Sequence, residues 1–163
     1  MAAGRGMCVP DSYQPTAFRP PLYPWLLALS PAPHVGWWVA ATNLLAGVGT
    51  ILLTALLGRQ LRLPPSAALA AALLAALDPL LVRYASQPMT ESVCTLLVAA
   101  LLLATVSHAA RPGFVRGGSV GLLSGLSVLC RPTVWGYAVL LSLAAIVAVL
   151  FRTGDADAAD DAE

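Results

Sequence analysis

Residues 35–62 read VGWWVAATNLLAGVGTILLTALLGRQLR, and this stretch decides the fold class. From Val35 to Leu57 it carries no charge, which as a helix spans about 34 Å, enough to cross the hydrocarbon of a bilayer. Trp37 and Trp38 stand at its start and Arg59 and Arg62 just past its end. Such aromatic and basic flanks anchor a helix at the two membrane–water interfaces.

The rest of the chain has the same character. Hydrophobic residues make up 58% of it and charged residues 10%, with a mean hydropathy of +0.78, far from a soluble domain with ~25% charge. The sequence therefore reads as an all-α, multi-pass transmembrane helical bundle. All nine basic residues are arginines, and the net charge of +1 provides no field to attract nucleic acid. Cys8, Cys94 and Cys130 are too widely spaced for a C-x-x-C pair or a disulfide framework, so Cys94 and Cys130 read as small packing residues. His34 and His108 have no second ligand at metal spacing. No apolar run precedes a cleavage site near Met1, so a signal peptide is not expected.

Four further spans are expected, about five in all. One follows Pro64–Pro65, which suit a helix N-terminus, and runs from Ala67 to Leu77. It breaks at Asp78–Pro79, with Leu80 to Val82 continuing as a surface helix. The next covers Met89 to Val106, with Glu91 in its first turn, where a carboxylate gains from the helix dipole. The last two, Gly117 to Leu129 and Thr133 to Phe151, are separated by Cys130–Arg131–Pro132. A continuous helix there would put Arg131 in the bilayer centre at a cost of about 2.5–3.5 kcal/mol, which a hairpin avoids. Gly117, Gly121 and Gly125 form a smooth stripe read as a helix-packing surface. The domain plan is an extracytoplasmic segment over 1–22, a membrane domain over 23–152, and a disordered acidic tail over 153–163.

If the spans alternate, Arg59, Arg62, Arg111, Arg116 and Arg152 share one side, and Arg5, Arg19, Arg83 and Arg131 the other. The positive-inside rule points the first set to the cytoplasm. Between Ser12 and Gly154 the only acidic residues are Asp78 and Glu91, both on the outward side with Arg83 and Arg131. Singly, these charges are helix caps and snorkelling arginines. As a set they can also bind phosphate through arginine while a carboxylate takes a proton from a nucleophile. In FRPPLYPW, residues 18–25, the prolines stiffen the presentation of Arg19 and Tyr23 at headgroup level, and Trp25 anchors a short interfacial helix from Tyr23 to Leu29.

Three blocks carry a resemblance: PTAFRPPLYPWLLAL, LAALDPLLVRYASQPMTESVCTLLVAALLLA and GLLSGLSVLCRPTVW. In this order and spacing they resemble the N-terminal membrane half of bacterial glycosyltransferases related to dolichyl-phosphate-mannose protein mannosyltransferases and lipid A aminoarabinose transferases. The resemblance implies part of a GT-C fold in the inner (plasma) membrane, with its site facing outward. It implies transfer of a sugar from a polyprenyl-phosphate donor to a lipid, glycan or protein acceptor. Glu91, Asp78 and Asp11 are then the candidate catalytic acids, and Arg19, Tyr23, Arg83 and Arg131 the candidate lipid-phosphate ligands. Use of a divalent metal stays open. Asp11–Ser12–Tyr13 looks like the loop that bears a catalytic aspartate in relatives, but it lies eight residues before Arg19 with no span ahead of it. The chain accordingly reads as a fragment whose partners include the missing helices of the same fold, besides the donor and membrane lipid. The competing reading is a small non-enzymatic membrane protein, an assembly partner or transporter fragment, whose polar face lines a helix interface.

Overall fold

The computed structural model describes residues 20–30, 34–84, 87, 89–140 and 143. The chain divides into two compact units, Met1–Pro132 and Thr133–Glu163. Among its described residues the first holds six helices: α1 (Leu22–Ala28), α2 (Val35–Gln60), α3 (Pro65–Ala76), α4 (Pro79–Tyr84), α5 (Glu91–Ala110) and α6 (Phe114–Cys130). No strand occurs among the described residues. Arg131 is extended and a single 3-10 turn follows at Pro132–Val134. In the second unit residues 135–140 and 143 are helical; residues 141–142 and 144–151 of the expected fifth span, and the acidic tail, lie outside the described residues.

α2 and α5 are long and apolar enough to cross a membrane; α3 and α6 are shorter apolar helices. Large apolar side chains such as Leu44, Leu45, Leu52, Leu74 and Leu122 are exposed, as a lipid-facing surface requires and a water-facing one would not tolerate. The hydroxyls follow the same logic. Thr50, Thr54, Thr95, Thr105 and Ser127 each donate to the carbonyl four residues earlier in their own helix, so these hydroxyls need no water where water is absent.

Local chemistry sets the helix ends. α2 stops in a Schellman motif: Leu63 N–H donates to the Gly58 carbonyl and Arg62 N–H to the Arg59 carbonyl, both at 3.0 Å. Arg62 occupies the left-handed position with φ 57°, where glycine is the usual residue. Pro65 opens α3 at a position whose N–H would be orphaned anyway. Pro79 separates α3 from α4, with Leu77 and Asp78 outside both helices, as the sequence led us to expect.

α2 packs on both α3 and α5, and α5 packs on α6. Small residues permit the close approaches. A Cβ on Gly58 would come within 2.8 Å of Ala68 Cβ and 3.1 Å of its Cα, and one on Gly49 within 2.7 Å of the Leu96 side chain. The stripe singled out in the sequence behaves differently. Gly117 lies against His108, whereas Gly121 and Gly125 have open space around them. The inward face of α2 is Val39, Asn43, Ala46 and Thr50, spaced by three or four residues as one helical face must be.

The register between α2 and α5 places the site. Gly49 meets Leu96, and Ser107 donates to Gln60 Oε1 at 3.0 Å, so the two helices run parallel with one constant offset. On that register Glu91 is level with Leu44, nine residues or roughly 13 Å below the first residue of α2. α3 and α6 return in the opposite direction. Arg59, Arg62, Arg111 and Arg116 therefore gather at one end of the first unit, while α1, α4, the start of α5 and the end of α6 gather at the other.

Candidate functional site

At the second end an ion pair joins two helices. Arg131 Nη1 lies 3.4 Å from Glu91 Oε1, with the two side chains 44% and 30% exposed. Glu91 is held by the first turn of α5, where exposed N–H groups favour a carboxylate. Arg131 follows the last residue of α6, released from the helix because Pro132 comes next. Its backbone N–H still reaches the Ser127 carbonyl at 2.9 Å. A guanidinium has five N–H donors; the contact with Glu91 is made through Nη1, and the group is partly exposed.

Tyr23, on α1, completes the cluster. It is 5% exposed, and burial first, then the charge of Glu91, raise its phenol above the ordinary value of 10.0. The phenol therefore stays neutral, within the field of the carboxylate. α1 is held at this end of the unit by its packing on α6 and α2 and by the Trp38 indole N–H, which donates to the Leu26 carbonyl at 3.0 Å. The neighbouring Trp25 and Trp37 are exposed, as interfacial anchors would be.

The other sequence candidates are placed as follows. Asp78 is half-buried between α3 and α4, and its carbonyl accepts the Val82 N–H at 3.1 Å. Arg83 is exposed in the last turn of α4, and α4 packs on α5. Both lie at the same end of the unit as Glu91, but the contacts that build the ion-pair cluster come from α1, α5 and α6. Arg19 and Asp11 lie outside the described residues. Among the described residues no three His, Cys, Asp or Glu side chains gather where one metal ion could touch them all.

Two features escaped the sequence reading. Asn43 is buried on α2, and its amide donates to the Gln87 carbonyl at 2.8 Å, tying the segment ahead of α5 to the bundle. A polar residue inside an otherwise apolar span was the available signal. Cys94 and Cys130, read singly as packing residues, are both buried and meet at one carbonyl: Thr90 O accepts the Cys94 N–H at 2.8 Å and lies 3.9 Å from the Cys130 Sγ. Their clue was positional: Cys94 lies three residues after Glu91, hence on the same helical face, and Cys130 directly precedes Arg131.

The model of a protein family described as dolichyl-phosphate-mannose-protein mannosyltransferase matches residues 18–157. That range includes α1 to α6 and every residue of the cluster. No match to a curated protein or to a solved structure is found.

Proposed function

We propose, from the premise that the chain belongs to the dolichyl-phosphate-mannose-protein mannosyltransferase family of membrane glycosyltransferases, that a recess beside the Glu91–Arg131 pair, where α1, α5 and α6 meet, receives the phosphate of a polyprenyl-phosphate-linked sugar on the extracytoplasmic face of the plasma membrane. The observation that supports this most is the Glu91–Arg131 pair, two half-exposed opposite charges brought from helices 40 residues apart to one apolar rim.

In this reading Arg131 donates its free N–H groups to phosphate oxygens, and the neutral Tyr23 phenol supports Glu91. Glu91 accepts the proton of the acceptor hydroxyl as that oxygen bonds to the anomeric carbon. The bond from that carbon to the phosphate oxygen breaks with inversion, and polyprenyl phosphate departs with the electron pair, its charge held by Arg131. Arg19 and Arg83 are proposed as further phosphate ligands, and Asp78 and Asp11 as further acids. The apolar flanks of α5 and α6 offer the polyprenyl chain a surface like lipid.

The test is donor binding, which needs no knowledge of the acceptor. The full chain in lipid nanodiscs is titrated with dolichyl-phosphate mannose, following tryptophan fluorescence. Saturable binding that weakens at least tenfold in Arg131→Ala is expected. Equal affinity in the two proteins would refute the role of Arg131. A second reading, a non-enzymatic membrane protein, is favoured by one observation: Glu91 and Arg131 already neutralise each other, as residues lining a helix interface would. Under that reading neither protein binds the donor.

A further inference from the structure

We infer that Cys94 and Cys130 are a disulfide-forming pair, a covalent clasp that joins the start of α5 to the end of α6 immediately behind the ion pair. This is independent of the sugar-transfer reading. The thiols come from the two sides of the α5–α6 contact, Cys94 with its N–H 2.8 Å from the Thr90 carbonyl, and are 7% (Cys94) and 0% (Cys130) exposed. The Cys130 Sγ also lies 3.9 Å from the Thr90 carbonyl, which holds the side chain on the α5 side. Two cysteines from separate helices that converge on one backbone carbonyl inside an apolar bundle are neighbours rather than scattered packing residues.

The topology gives the bond a consequence. α5 and α6 are linked at their far ends by residues 111–113 alone, so a bond between Cys94 and Cys130 closes the open end of the hairpin. Glu91 sits one turn before Cys94 on the same face, and Arg131 is the next residue after Cys130. Oxidation therefore fixes the separation of the two charges; reduction lets the helix ends part.

The step balances simply. Each thiol loses its proton, one sulfur attacks the other's oxidised form, and an S–S bond replaces two S–H bonds. The two electrons and two protons pass to a small disulfide by exchange, which becomes two thiols. In the test they pass to diamide, whose N=N bond becomes a hydrazine.

The full chain is purified in detergent under reductant, exchanged into buffer, treated with diamide, then denatured and alkylated with a maleimide–polyethylene glycol. Untreated protein should take three adducts, on Cys8, Cys94 and Cys130; oxidised protein should take one. Non-reducing peptide mapping should find Cys94 joined to Cys130. C94S and C130S should each keep two adducts before and after diamide. The thermal midpoint of the oxidised chain should rise by about 5–10 °C and fall back with reductant. Three adducts after diamide, a bond to Cys8 instead, or a lowered midpoint on oxidation would each overturn the clasp. Donor titration does not enter this experiment, so its failure and that of the transferase reading are separate results.

Discussion

Replacing Arg131 by alanine distinguishes a working recess from a buried structural brace. At 3.4 Å two unit charges attract by about 1 kcal/mol at the dielectric of water and about 5 kcal/mol at an effective dielectric of 20. With 44% and 30% of the two side chains exposed, screening dominates, and measured pairs of this kind are worth about 0–1 kcal/mol. Arg131→Ala should therefore lower the stability of the chain by less than about 1 kcal/mol, a midpoint shift of about 2–4 °C at this size, while donor binding falls at least tenfold. A Glu91→Gln, Arg131→Gln cycle followed by thermal unfolding in nanodiscs measures the coupling directly. If the pair were dry, deleting one partner would strand a charge and cost about 3–5 kcal/mol, and the double variant would recover most of it. That result would refute the solvent-open recess and the proposed role with it.

Other perturbations have equally definite outcomes. Gly58→Val should destabilise by about 1–3 kcal/mol, because its Cβ meets the backbone of α3 at Ala68 rather than a movable side-chain tip; thermal unfolding reads this, and an unchanged midpoint would contradict the α2–α3 contact. Arg62→Gly should stabilise by about 0.5–1 kcal/mol by relieving the left-handed residue, seen as a raised midpoint; a lowered one would show that the Arg62 side chain contributes more than its backbone costs. Tyr23 has a folded value above the unfolded 10.0, so its contribution is complete below pH 10.0 and is lost as pH rises through the folded value. Alkaline unfolding should therefore begin at higher pH in Tyr23→Phe, and an identical alkaline limb would remove Tyr23 as the cause. Asn43→Leu should cost about 1–3 kcal/mol by stranding the Gln87 carbonyl and should speed amide exchange in the segment ahead of α5; unchanged exchange would remove the tether.

The helices and their breaks were readable because charges are rare here and, past α1, the prolines stand at or between helix ends rather than inside the spans. Pro64–Pro65, Asp78–Pro79 and Arg131–Pro132 all stand at helix boundaries. The alternation of spans also put Glu91 and Arg131 at one end. What spacing could not convey is which faces meet. The every-fourth-residue glycines of α6 suggested a contact face, yet Gly121 and Gly125 face open space, since in an all-apolar helix lipid and protein neighbours leave the same pattern. The offset of α5 on α2 depends instead on Gly49, and the close approach of α3 on Gly58, two unremarkable small residues in a long span. For the same reason Cys94 and Cys130 looked unrelated: their meeting depends on how α5 and α6 rotate against each other, which no local period records.

The short connection at residues 111–113 bears on how this protein is made. Inserted singly, α5 would carry Glu91 into the membrane without a counter-charge, and α6 would bring Arg131 likewise. Folded back on each other before they reach the lipid, the two helices deliver a neutral pair. Residues 91–131 should thus leave the translocation channel as one hairpin, with the later helix settling the fate of the earlier one.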